Sequence, residues 1–423
     1  MLNSPQEKNQ TFKTLQAGRG FAALLVVLVH LSVALFSRFF GHKFWQGFAF
    51  GHAGVEYFFV ISGFIIAYLH WQDVKWPGHQ LAGKDRLPRF LRKRFVRIYP
   101  IYWLVLLFLL PIYLTGPHFV AFHGSRLLSV LDDIALLPTS HLPDVAVAWT
   151  LKHEILFYAV FAVMIFHRRA GFFLAAVAAL GSLAVLIVGS IRPALIFDGE
   201  VLSHENWSLP FQSTPFILFS PLHLLFVFGA AIVWAVKRGR IPYPALLAVL
   251  GVALFLGTGA YECFIGGARF EMLRSQCYGI GAAVAMAGFI ELERSQSLRV
   301  PQFLCLLGDA SYSLYLTHFA VLSVLAKFAA NYQQKLASRG INVPDAVFFY
   351  AMVSLAVAFG ILFHVCLEKP LLNWLGNRPK QLSSHATDLK EDLLARPGVS
   401  QKARGAAVGS SASLDIAPAR DLQ

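Results

Sequence analysis

Long apolar runs separated by short polar breaks dominate the chain. Ten such runs lie at approximately 20–36, 54–70, 98–115, 149–167, 171–191, 215–236, 241–260, 274–292, 303–328 and 346–367. A helix rising ~1.5 Å per residue needs about 20 apolar residues to cross the hydrocarbon layer, so each run predicts one transmembrane helix. The runs at 149–191 and 215–260 are interrupted only by His167-Arg168-Arg169 and Lys237-Arg238-Gly239-Arg240, which predict two tight helical hairpins. Backbone in lipid must satisfy its own hydrogen bonds, and the short alternating segments of a barrel are absent. The expected fold is therefore all-α: a polytopic integral membrane bundle of about ten transmembrane helices within 1–376. Residues 377–423 turn to Ser, Ala, Lys, Asp and Arg without periodicity, which predicts a disordered cytoplasmic tail. No internal repeat is visible.

Composition agrees with the pattern. Hydrophobic residues make up 57% and charged residues 14%, against roughly 45–50% and about 25% in soluble domains. Charge then sets orientation. With the N-terminus inside, segments predicted to be cytoplasmic hold 26 Lys and Arg and the outer loops hold 8. That bias predicts that both termini are cytoplasmic. The net charge of +13 is thus mostly topology, with no basic face interleaved with aromatics for nucleic acid. The basic start and apolar run of residues 1–36 resemble a signal peptide, but the run is long and holds His30, so it is read as an uncleaved first span. The four cysteines lack metal spacing. Cys263 and Cys277 flank one outer loop and could pair.

Ionisable residues within spans cost roughly 2.5–3.5 kcal/mol each on insertion scales, so each asks for a reason. Arg19 opens the first span and His30 lies inside it, eleven residues on. At ~100° per residue the two share a face, ~16 Å apart along the axis. Glu56 opens the second span. Arg94 and Arg97 lie at the start of the third, at the end of the arginine-rich stretch Arg89–Arg97. In the fourth, Thr150, Glu154 and Tyr158 form one polar stripe by their i, i+4, i+8 spacing. In the ninth, Ser311, Tyr315 and His318 fall on one side. Each of these groups also has a plainer reading, as orientation charge or as polar packing between helices.

Taken in order, these segments resemble the membrane acyltransferase 3 family. Arg19 to His30 looks like its first-span signature, and Gly54–Phe64, with Glu56, looks like its second-span motif. Arg94-Phe-Val-Arg97 looks like its RxxR segment. Trp149–Tyr158 looks like its Trp-Ser-Leu-x-x-Glu-x-x-Phe-Tyr motif, with Thr150 in place of serine. The likeness runs on through Ser311–His318 to Leu367-Glu-Lys-Pro370. It implies a stand-alone enzyme of the bacterial inner membrane that O-acylates a cell-surface or lipid-linked carbohydrate.

Acyl transfer to a hydroxyl needs a base, a donor site and a way to hold the developing oxyanion. The expected catalytic residues are His30, an imidazole suited to proton transfer near neutral pH, and Glu154. Arg19, Arg94 and Arg97 are expected to bind the phosphates of acyl-coenzyme A as co-substrate. His30 either activates the acceptor hydroxyl or relays the acyl group covalently. Glu154 or Glu56 is expected to orient the imidazole or to bind the acceptor, with Thr150, Tyr158, Tyr315 and His318 in support. No bound cofactor and no metal are expected. The rival expectation is a transporter or flippase of a lipid-linked sugar, which buried charges and about ten helices suit equally.

Overall fold

The computed structural model describes residues 12–71, 83–115, 126–139, 143, 145–191, 217–266 and 271–376. They form twelve helices and no strand. In chain order, α1 runs over Lys13–Phe40 and is wound as a π-helix over His30–Leu35. A 3₁₀ segment, Gln46–His52, leads into α2 (Ala53–Leu69). Then follow α3 (Gly83–Thr115), α4 (Arg126–Ala135), α5 (Trp149–Phe166) and α6 (Arg168–Ile191). The second half holds α7 (His223–Arg238), α8 (Pro244–Phe264), α9 (Glu271–Arg294), α10 (Gln302–Asp309), α11 (Ser311–Ala337) and α12 (Asp345–Phe363).

Each of the ten predicted segments contains a helix. Eight helices among the described residues are long and apolar enough to cross a membrane by themselves: α1, α2 with its 3₁₀ lead, α3, α5, α6, α8, α11 and α12 with its extension to Gly376. The segments predicted at 215–236 and 274–292 appear as α7 and α9. α7 is short, at 16 residues, and α9 is the less apolar of the two. α7 packs on α2, and α9 packs on α8, α2 and α7. A helix enclosed by other helices need not be uniformly apolar, and α9 buries Arg274, Gln276 and Glu291. By contrast α6 exposes Phe173, Leu180 and Ile191, as a helix facing lipid tails does.

Close helix approach here depends on small residues, as membrane bundles generally require. Gly63 on α2 lies against the backbone of Phe226, and Gly229 on α7 lies against the backbone of Val60. A Cβ at either position would meet main-chain atoms and force the two helices apart.

Two features depart from the sequence expectation. The ninth span is not one helix. α10 and α11 break at Ala310, and Gly308 on α10 lies directly against the carbonyl of Gln16 on α1. Hydropathy cannot register such a break, because both pieces are apolar. Secondly, the outer loop expected at 116–148 contains α4, which turns its polar side inward. Ser129, Asp132 and Asp133 are buried, while Leu127, Leu128, Leu131 and Ile134 are exposed. Its last carbonyls, orphaned at any helix end, accept from Tyr102 and Trp103 side chains (Asp133 O at 2.8 Å, Ile134 O at 2.9 Å) and from Tyr99 (Ala135 O at 2.9 Å). Lys152 on α5 is buried against Asp132 at 2.8 Å and Thr139 at 3.2 Å. That pair holds one side of α5, and the Thr150–Tyr158 stripe occupies the other.

Backbone contacts divide the chain into Phe12–Val365 and a second unit of Met1–Thr11 with Cys366–Gln423. Of the second unit only Cys366–Gly376 is described, and it is helical. The tail expected at 377–423 lies outside the described residues. All four cysteines are free thiols, so the pairing considered for Cys263 and Cys277 is not formed.

Candidate active site

His30 sits where α1 widens from an α-helix into a π-helix, a local form often found at functional positions. Its Nδ1 is 2.9 Å from the Val26 carbonyl oxygen and 3.1 Å from Nε2 of His318. The two rings lie 5.0 Å apart, and Phe319 meets the His30 ring edge-on at 5.4 Å. His318 is fully buried on α11, with Nδ1 2.7 Å from the Tyr315 carbonyl and 3.2 Å from that of Leu314. His30 is only half-buried. One histidine of the pair is therefore open to approach and the other is sealed.

From this pair a file of polar groups leads along α11 and α5. The Tyr315 hydroxyl lies 3.0 Å from Thr150 Oγ1, and both reach the Val147 carbonyl at 3.1 Å. One turn on, Glu154 lies within electrostatic reach of Tyr315. Its Oε1 accepts the Tyr158 hydroxyl, and Ser62 Oγ on α2 lies at 3.4 Å. The Arg94 guanidinium stands 5.4 Å from the Tyr158 ring centre and 5.7 Å from that of Phe90, in cation–π range. Arg97 lies within electrostatic reach of the same tyrosine. Arg89, Arg92 and Lys93 are exposed, whereas Arg94 and Arg97 are half-buried. The inward-turned arginines are thus the two singled out by the sequence.

Arg19 is buried on α1 and donates to Gln16 Oε1 at 3.1 Å. Ser311, in phase with Tyr315 and His318, has a fully buried hydroxyl with no hydrogen-bond partner among the described residues. Glu56 is buried, with Oε1 3.6 Å from His52 Nδ1 and Oε2 unpartnered. It lies within electrostatic reach of Tyr315. Of the two roles expected for the glutamates, orienting the imidazole or binding the acceptor, the first has no contact behind it among the described residues: Glu154 bonds to Tyr158 and Ser62, Glu56 faces His52, and His318 lies against His30. The physical reason is register. A carboxylate on α5 or α2 falls beside the residue its own helix presents at that depth, and the groups level with His30 are on α11.

The sequence reading missed a second histidine centre. His52 Nε2 is 2.8 Å from Glu262 Oε1 on α8, and Tyr278 on α9 donates to Glu262 Oε2 at 2.6 Å. This cluster lies within electrostatic reach of His30 through His52. The signal was present: Glu262 sits two residues past the predicted end of the seventh span, where a carboxylate needs a partner. Among the described residues no group of His, Cys, Asp and Glu is placed to hold a metal ion. A cavity of about 410 Å³ between Phe39, Phe40 and the end of α11 is lined by none of the candidate site residues.

A membrane-embedded bundle with an open histidine, a sealed partner and inward arginines has the parts of a group-transfer enzyme. The comparisons agree. The acyltransferase domain model of the acyltransferase 3 family matches residues 12–364, and the chain belongs to that family. Among its relatives, the exopolysaccharide production protein ExoZ of Rhizobium meliloti (strain 1021) is 32% identical over 338 residues, covering 78% of this chain and 92% of that protein. Acyltransferase MdmB of Streptomyces mycarofaciens is 25% identical over 380 residues, covering 85% and 91%. No solved structure matches the chain. The protein is a multi-pass membrane acyltransferase transferring groups other than aminoacyl groups.

Proposed function

We propose that the protein moves an acyl group, in the first instance acetyl, from acyl-coenzyme A to a hydroxyl of a cell-surface or lipid-linked carbohydrate, with His30 as the base. The observation that carries this is the half-open His30 held by His318 at one end of a polar file whose other end is Arg94 and Arg97. Arginine pairs with phosphate in a bidentate fork, so that end suits the nucleotide of the donor. The pantetheine arm then extends along Tyr158, Glu154 and Thr150 toward His30, with Arg19 as a further cation on the donor path. The acceptor approaches from the side of His30, with the buried Glu56, whose Oε2 has no hydrogen-bond partner among the described residues, behind it. The relative named for exopolysaccharide production supports a carbohydrate acceptor.

The enzyme sits in the bacterial inner membrane with both termini cytoplasmic. That orientation rests on the excess of Lys and Arg in the segments on that side. Reporter fusions at residues 80 and 400 should both report cytoplasm, and an outside signal at either would reverse it. The flippase alternative loses its ground in the family match, and no observation favours it.

The deciding experiment has two arms. Purified protein is given acyl-coenzyme A and an acceptor glycan, and release of free thiol is followed. Surface glycans of cells with and without the protein are compared by mass spectrometry. Thiol release with acetyl ester on the glycan is the expected result. A glycan profile unchanged in ester content would rule out this acceptor class.

A further inference from the structure

The hydrogen bonds around His30 carry more than its identity as a base, because they assign its protons. We infer that His318 is a positioning residue that fixes His30 in the Nδ1–H form, leaving Nε2 as the reactive nitrogen. This rests on the reading of His30 as the base, and deepens it.

The backbone carbonyls set the proton positions, beginning at His318. Nδ1 of His318 faces two backbone carbonyl oxygens, at 2.7 and 3.2 Å. Carbonyl oxygens only accept, so that nitrogen carries the hydrogen. Nδ1 of His30 faces the Val26 carbonyl at 2.9 Å, so it too carries a hydrogen. The same nitrogen lies 3.1 Å from Nε2 of His318. A second hydrogen on that Nε2 would set two N–H groups against each other. Nε2 of His318 is therefore bare and accepts from His30, which shares one hydrogen between His318 and Val26. Hydrogen positions follow from the network rather than from the atoms seen, and this network permits a single neutral assignment. The remaining nitrogen of His30, Nε2, has a free lone pair and no hydrogen-bond partner among the described residues.

Burial divides the roles. His318 is sealed at 0% exposure and cannot touch a substrate, while His30 is half-open. The device resembles the use of a carboxylate to fix a base's tautomer, with a neutral imidazole in the carboxylate's place. In the transfer step the acceptor oxygen forms a bond to the thioester carbonyl carbon as its proton passes to Nε2 of His30. The carbon–sulfur bond then breaks, and the proton passes from Nε2 to the departing thiolate. Ester and free thiol result, and His30 returns to its starting form.

The test uses the full chain in lipid nanodiscs. Nitrogen NMR of histidine-labelled protein, with His30 assigned by its loss in His30→Gln, should show His30 protonated at Nδ1 and bare at Nε2. An Nε2–H form would overturn the inference. In kinetics, His318→Ala should lower kcat about tenfold, the loss expected for removing one partner of a buried hydrogen bond, with KM for both substrates unchanged. His318→Gln, whose amide oxygen can still accept from His30, should regain most of that loss. Equal kcat for wild type and both variants at equal folded protein would overturn it. A third variant separates the two readings: if His30→Gln keeps full activity while the NMR result stands, the base assignment fails and the tautomer assignment survives.

Discussion

Two histidines sit near each other in this bundle in opposite settings. His52 lies between two carboxylates, 2.8 Å from Glu262 and 3.6 Å from Glu56, and Tyr278 completes the cluster. Among the described residues His30 meets no carboxylate. Its partners are a backbone carbonyl and a second imidazole. A histidine with both ring nitrogens facing acids is held by the protein on both sides, and it joins the 3₁₀ segment before α2 to α8 and α9. A histidine tied at one nitrogen only keeps the other for chemistry. The contrast separates a fastening from a working group, although both are ionisable residues in apolar helices and cost about the same to place there.

The largest expected effect breaks that contrast at its working end. His30→Ala and His30→Gln should each lower acylation per inserted molecule by at least ~10²-fold, the low end for losing general acid–base catalysis. An amide can hydrogen-bond but cannot take a proton near neutral pH. Near-normal specific activity in His30→Gln would return His30 to a packing role.

A smaller effect is expected at the far end of the polar file. Arg94→Ala or Arg97→Ala should raise the KM for acyl-coenzyme A roughly tenfold or more, in keeping with about 1.5–3 kcal/mol for a hydrogen bond to a charged group. Their kcat should change less. Donor titrations that superimpose on wild type for both variants would reduce these arginines to charge anchors.

The smallest effect on activity is expected at the fastening. Glu262→Gln removes the carboxylate that accepts from both His52 and Tyr278. An amide oxygen serves one of them well, so the change should cost about 1–3 kcal/mol of stability. It should be read as a lower melting temperature and less protein in the membrane. Activity per folded molecule should stay within about twofold. A collapse of activity at unchanged stability would show that the His52 cluster takes part in catalysis and would erase the distinction drawn between the two histidines.

Much of this molecule is local and was therefore readable from the chain. Helices in lipid announce themselves by length and apolarity, so the ten segments and the all-α class follow from composition in windows of about 20 residues. The stripe of Thr150, Glu154 and Tyr158 follows from helical periodicity alone, and the structure unites its last two members by a hydrogen bond. The inward turn of Arg94 and Arg97 could be anticipated only from their place beside Tyr99-Pro100 within a longer basic run.

What spacing could not reach was the partner of each polar residue. His30 and His318 are 288 residues apart, His52 and Glu262 are 210 apart, and nothing in either window names the other. Which helices lie side by side depends on small residues such as Gly63 and Gly229 admitting close backbones, and on the break between α10 and α11 that lets Gly308 meet Gln16. The π-turn at His30 likewise has no signature in hydropathy. The sequence by itself determined the ten apolar segments and their polar faces, because those follow from local transfer energies and a fixed helical pitch. Only the tertiary structure decided that His318, rather than a glutamate, holds His30, because depth and rotation of one helix against another are set by packing across the whole bundle.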